Sequence, residues 1–325
     1  MHRVATASIV SWLVLTGSGG PGPLAAAQQP PQPQQPQQGV FRGTVQTVPV
    51  YVTVTDKTGR LVTDLAREDF QLKDGGLVQT LTQFDSSPQP IKLIVLLDVS
   101  GSMQRNLPLL RASCEQLFSR LRPDDRAKVG TFGREIVISP TFTNDPAALR
   151  AALPTMIEGN APTPLWKAVD AAMSAFEDGE GRRVVLILSD GKDGAPMKFN
   201  EKFLTVLEII DRAQKEDVMI YGIGLQSRGA MMGATLQEQM AADLPDPALG
   251  TLALDTGGGY FEIRPRDDLG AAFARVADEL HQQYLLGFTP AARDGKLHKI
   301  EVKVKNGDLK PRAREKYLAP KADKQ

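Results

Sequence analysis

Between residues 91 and 282 the sequence alternates short, continuous apolar runs with longer segments of helical periodicity, and this feature constrains the fold most. A run such as "LIVLLD" (Leu93 to Asp98) or "VVLILSD" (Val184 to Asp190) has no polar face before its last residues, so a strand built from it is buried on both sides. A parallel sheet covered by helices on both faces provides that burial. Strands are expected at 91–98, 127–132, 135–142, 183–189, 218–224 and 259–263, with helices around 105–121, 145–157, 164–177, 200–216 and 267–282. The link Phe132-Gly133-Arg134 is too short for a parallel crossover, so one antiparallel edge strand is expected. The prediction is an α/β fold with a doubly wound, mostly parallel six-stranded sheet, and 325 residues at 42% hydrophobic composition suffice for its core.

The flanks have a different texture. In "VPVYVTVTDKTGRLVTDL" the apolar positions Val48, Val50, Val52 and Val54 alternate, break at Asp56 to Gly59 and resume at Leu61; "FQLKDGGLVQTLTQF" repeats the pattern around Asp74-Gly75-Gly76. The C-terminal end returns to strands in "QQYLLGFTP" and "HKIEVKVKN". Neither flank has enough strands to stand alone. The expectation is one small β-sandwich-like module, built from 40–88 and 283–319, into which an α/β domain of residues 89–282 is inserted, with 320–325 as a disordered tail. Gln283 follows the last helix without a Gly or Pro break, so a shift of that helix is a possible route from the α/β domain to the strands.

At the N-terminus, His2 and Arg3, an apolar run from Val4 to Thr16 and Ala25-Ala26-Ala27 read as a signal peptide of residues 1–27, cut after Ala27. A Pro/Gln-rich linker occupies 28–39. No later stretch is long and apolar enough to span a bilayer, so the expected location is secreted or periplasmic, in the cell envelope. Lys plus Arg and Asp plus Glu both total 38, and nothing in this balance favours nucleic acid. The single cysteine, Cys114, excludes an internal disulfide and sits at helical spacing with Leu110, Leu117 and Leu121, as a small buried hydrophobe does. His281 and His298, both distant from the strand-end loops, read as surface residues.

In open α/β sheets, ligands collect where loops leave the carboxyl ends of the strands. Three polar loops are expected there: Asp98-Val99-Ser100-Gly101-Ser102, "GNAPTPLWKAV" with Thr163, and "LSDGKDG" with Asp190. Their carboxylates and hydroxyls are hard oxygen donors, suited to Mg²⁺, Mn²⁺ or Ca²⁺ rather than zinc. Gly101 relieves the tight backbone between two serines whose hydroxyls turn to one side. Gly101, Lys192 and Asp193 are further candidates for contact with a ligand, although Lys192 and Asp193 read first as exposed turn charges; Trp166 reads as core. Ser102 as a simple N-cap of the following helix is the bland alternative.

Asp98-x-Ser100-x-Ser102 after an apolar strand, then Thr163, then Asp190, in that order and spacing, resembles the von Willebrand factor type A domain family over residues 89–282. The flanks are similar to those of exported bacterial proteins called VWFA-related. The resemblance implies a metal-ion-dependent adhesion site in which Ser100, Ser102 and Thr163 touch the cation and Asp98 and Asp190 contribute directly or through water. It departs mildly at Pro162, where Gly is common. It further implies a non-enzymatic module that binds a partner protein's Asp or Glu carboxylate through Mg²⁺, with Mn²⁺ or Ca²⁺ as substitutes.

Two other functions compete. Metal-dependent phosphoryl transfer with Asp98 as nucleophile lacks the usual second carboxylate, because Ser100 stands two residues on. An envelope scaffold with a non-functional metal site predicts partner binding that ignores chelators. No G-x-S-x-G elbow or phosphate-binding loop is present. The long connection 226–250 beside the binding face is a candidate for partner choice.

Overall fold

A computed structural model of the protein describes residues 46–177, 181–194, 203–226, 244–264 and 267–322. The expected signal peptide and Pro/Gln linker, and residues 227–243 of the long connection, lie outside the described residues.

The six-stranded sheet forms from β5 (Ile91–Asp98), β6 (Arg126–Phe132), β7 (Ile136–Ile138), β8 (Arg182–Ser189), β9 (Val218–Leu225) and β10 (Tyr260–Ile263), in the order β10-β9-β8-β5-β6-β7. All neighbours are parallel except β7, which pairs antiparallel with β6 at the edge. Strand β7 is shorter than the expected 135–142. Pro140 has no N–H for a ladder, and the chain regains β6 through a single bridge between Ala127 and Thr143.

Alternation along β5 divides the core. Leu93, Val95 and Leu97 face α1 (Leu107–Phe118) and α6 (Leu269–His281), packing on Leu110, Cys114, Leu117, Phe273 and Val276. Ile94 and Leu96 face α3 (Leu165–Ser174), α4 (Val206–Glu216) and α5 (Pro247–Asp255), through Leu165, Val169, Ile209 and Leu252. Trp166 lies in this second layer, and Cys114 is fully buried, which pushes its thiol well above the ordinary cysteine range.

Helix boundaries are tighter than periodicity alone indicates. A 3-10 turn at Gly101–Arg105 precedes α1, which carries Pro108 in its first turn. Helix α2 covers only Pro146–Ala151, capped by Asp145, because Pro154 disfavours helical backbone before it. Helix α4 begins at Val206, where Thr205 and Glu208 form a reciprocal capping box.

The flanks build two four-stranded antiparallel sheets. One has the order β13-β1-β11-β4, from β1 (Val48–Thr55), β4 (Leu81–Asp85), β11 (Tyr284–Phe288) and β13 (Lys310–Arg312). The other, β14-β12-β2-β3, combines β2 (Phe70–Asp74), β3 (Leu77–Gln79), β12 (Leu297–Val304) and β14 (Lys316–Leu318). Each sheet mixes strands from both ends of the chain, and they share one core of Val48, Val50, Val52, Val54, Leu72, Leu286, Phe288 and Tyr317. The β2–β3 turn places Gly75 and Gly76 at φ of 56° and 87°, values that side-chain-bearing residues rarely adopt.

Strand β1 is partly covered on its second face as well, with Thr53 buried and Pro49, Tyr51 and Thr55 half-buried. Gln283 Nε2 donates to Thr53 Oγ1 at 2.6 Å, and the Arg182 guanidinium stacks 4.4 Å from the Tyr51 ring centroid. The buried Glu279 of α6 accepts from Arg312 of β13 and, at 3.3 Å, from Arg275. Residues 320–322 do not form a free tail: Ala322 N donates to Arg293 O at 3.0 Å, and Lys321 bridges Asp294. His281 is not a surface residue either. Its Nε2 lies 2.8 Å from the buried Asp125 carboxylate, while His298, half-buried, lies beside Asp294 and the Tyr317 ring.

Candidate functional site

Strand β5 ends at Asp98 and β8 ends at Ser189, neighbouring strands in the middle of the sheet, so the first and third loops leave side by side. The Asp98 carboxylate is fully buried and both its oxygens are engaged. Oδ1 accepts from Ser100 N at 2.9 Å and Oδ2 from Ser189 Oγ at 2.6 Å. Burial pushes its pKa up, and the hydrogen bonds from Ser100 and Ser189 oppose that rise without cancelling it. Ser189 itself is missing from the sequence-derived set. Its place as the last residue of an apolar strand, directly before Asp190, is the signal that marks it.

From Asp98 the oxygens continue outward. Ser100 Oγ lies 3.1 Å from Ser102 Oγ, and Ser102 Oγ donates to Asp190 Oδ1 at 2.6 Å. Ser102 is thus no helix cap: α1 begins at Leu107, after Asn106, and the Ser102 hydroxyl points across to the third loop.

The second loop closes over the other two. Glu158 N donates to Val99 O at 3.1 Å, and an added Cβ on Gly101 would come within 3.2 Å of Asn160 N, so glycine permits this approach. Gly194 N donates to Thr163 O at 2.9 Å. A Cβ on Gly191 would lie 3.3 Å from Thr163 Oγ1, which places that hydroxyl beside the residue following Asp190.

The structure therefore brings Asp98, Ser100, Ser102, Thr163 and Asp190 to one end of the sheet. Lys192 is exposed, as expected of a turn charge. Asp193 is not: it is half-buried, accepts from Trp166 N at 3.3 Å at the start of α3, and donates through its own N–H to Asp246 Oδ2 at 3.3 Å. Burial, with Asp246 nearby, pushes its pKa up despite the backbone hydrogen bonds. Asp193 fixes the third loop against α3 and α5.

The donor set suits a small hard cation. The Ser100–Ser102 oxygen separation of 3.1 Å is close to the edge, about 3.0 Å, of an octahedron with metal–oxygen bonds of about 2.1 Å. Among the described residues no group of three or more His, Cys, Asp or Glu side chains is placed to hold a metal; this cluster has two carboxylates and depends on hydroxyls for the rest.

Residues 92–257 match the model of the von Willebrand factor type A domain, just over half of the chain. The chain belongs to the von Willebrand factor type A domain family. Domains of this family typically mediate protein–protein interaction. Comparison with curated proteins gives no match. Among solved structures, the chain is similar to the conserved hypothetical protein BatB from Bacteroides thetaiotaomicron, at 14% identity over 58% of this chain and 98% of that one, with a TM-score of 0.45. It is also similar to an aerotolerance-related membrane protein from Bacteroides fragilis, with the same identity, coverages and TM-score. The pilus adhesin SpaC from Lactobacillus rhamnosus GG matches at 10% identity over 82% of this chain and 49% of that one, with a TM-score of 0.45. The type A domain holds the whole oxygen cluster, and the two flanking sheets draw all of their strands from outside the matched residues.

Proposed function

We propose that this type A domain is a metal-dependent protein-binding module. Ser100, Ser102 and Thr163 would hold Mg²⁺, or Mn²⁺ in its place, directly, with Asp98 and Asp190 behind them. A cation held mainly by neutral hydroxyls keeps uncompensated positive charge, which attracts a carboxylate from an Asp or Glu of a partner protein.

The observation that carries this reading is the oxygen chain Ser100–Ser102–Asp190, drawn from two loops and resting on the buried Asp98. Ser102 commits its proton to Asp190, so Ser100 Oγ is the donor of the 3.1 Å pair and one lone pair of Ser102 remains to face a cation. Asp98 has both oxygens occupied and no exposure, which counts against it as a nucleophile in phosphoryl transfer. Together with the N-terminal residues 1–27, the reading puts the module in the cell envelope or outside the cell. Among the described residues no helix is long and apolar enough to cross a membrane.

Envelope proteins retained on the immobilised full-length chain in Mg²⁺ test the proposal. Retention is expected to vanish with chelator and in Ser100→Ala. A partner that stays bound in both conditions would support the scaffold reading instead.

A further inference from the structure

At the opposite end of the sheet, below the N-terminal ends of β8 and β9, a cavity of about 600 Å³ lies between β1 and the α/β domain. Its size falls within the range of small-molecule sites, about 300–1,000 Å³. Three arginines line it, Arg182, Arg183 and Arg314, against two acids, Glu216 and Asp217.

Both acids are already engaged. The Glu216 carboxylate accepts from Arg212 at 2.7 Å, and Asp217 is paired with Arg314. Arg182 is buried, and its hydrogen bonds go to neutral acceptors: the Leu280 carbonyl at 3.0 Å, Gln283 Oε1 and Met219 Sδ. Arg183 donates to the Glu216 carbonyl at 3.3 Å. Among the described residues neither Arg182 nor Arg183 meets a carboxylate. The C-terminal dipole of α6, which ends next to Arg182, offsets about half a charge and no more. Among the described residues the buried Nε atoms of Arg182 and Arg314 find no hydrogen-bond partner.

A buried guanidinium with no carboxylate in hydrogen-bond contact is costly, and only the more distant charges of Asp217 and Asp125 act on Arg182; a guanidinium fork matches the paired oxygens of a carboxylate or phosphate. We infer that this cavity is an oxyanion-binding site, in which Arg182, Arg183 and Arg314 receive a phosphate or carboxylate group. Pro49, Pro90 and the Tyr51 ring supply apolar wall for the rest of such a ligand. The site is separate from the oxygen cluster and does not rest on the proposed cation.

Titration calorimetry on the full-length protein tests it, with inorganic phosphate and succinate as probes at ionic strength fixed with sodium chloride. Saturable binding of at least one anion is expected, weakened about tenfold or more in Arg183→Gln and unchanged in Ser102→Ala. Binding of phosphate alone identifies a phosphate group as the natural ligand chemistry, and binding of succinate alone a carboxylate. Arg183 is half-buried and its replacement leaves the buried Arg182 contacts in place. Should that variant fail to fold, Arg183→Lys, which keeps the charge but loses the fork, is expected to bind several-fold more weakly than wild type. No binding of either anion up to about 10 mM, or equal affinity in the foldable Arg183 variant, overturns the inference.

Discussion

Ser102 Oγ donates to Asp190 Oδ1 at 2.6 Å across 88 positions of sequence, so one hydrogen bond joins the loop after β5 to the loop after β8. Ser102 is exposed and lies outside the packed layers, which separates its role in the cluster from any role in the core. Ser102→Ala should leave thermal stability within about 1 kcal/mol of wild type while strongly weakening Mg²⁺ uptake. Thermal melts and metal titrations on the same preparation check both halves.

Ser189→Ala is expected to behave in the opposite way. It leaves Asp98 Oδ2, fully buried, without the hydroxyl that now donates to it at 2.6 Å. Removing such a donor costs about 1–3 kcal/mol. Urea unfolding should show this loss even with chelator present, and Ser189→Thr, which keeps the hydroxyl, should recover part of it.

Asp125 ties three segments together: it accepts from Ile91 N at 3.1 Å, Arg122 N at 2.7 Å and His281 Nε2 at 2.8 Å. Burial raises its pKa, but the hydrogen bonds from His281, Arg122 and Ile91 outweigh burial and hold the carboxyl below its ordinary value of 3.8. A depressed folded-state pKa contributes stability that is complete above the unfolded value and is lost as pH falls through the folded one. Asp125→Asn should therefore be less stable than wild type at neutral pH, by about 1.5–3 kcal/mol. The gap should close as pH drops below 3.8, which chemical denaturation across an acid series can follow.

Gly257 tests the seam between the α/β domain and the sandwich. It sits at φ 85°, and a Cβ there would lie 2.5 Å from the Arg314 backbone nitrogen. Backbone cannot yield as a flexible side chain can. Gly257→Ala is expected to cost more than about 3 kcal/mol, measured as a shift in denaturant midpoint, whereas Gly75→Ala meets open space and pays only for its backbone strain.

Much of this architecture was legible because it is periodic. The burial of alternate residues in β5 on two different helix layers follows from an apolar run with no polar face. The placement of Asp98 and Asp190 follows from their position after such runs. What was illegible depends on distant partners. His281 and Asp125 are 156 residues apart, and nothing local in either segment signals the other. Asp193 stands in a turn-like sequence, yet its carboxylate holds the start of α3, a contact set by how the third loop folds back. Thr205 and Glu208 are different: their spacing of three is a readable capping signal that periodicity alone passed over.

Whether these hydroxyls and carboxylates take up a cation is measured directly by calorimetric titration of Mg²⁺ and Mn²⁺ into chelator-treated full-length protein. Uptake of about one equivalent, abolished when Ser100 and Ser102 are both replaced by Ala, is the predicted result. Absence of heat with magnesium, manganese and calcium alike, or unchanged uptake in the double variant, would contradict it.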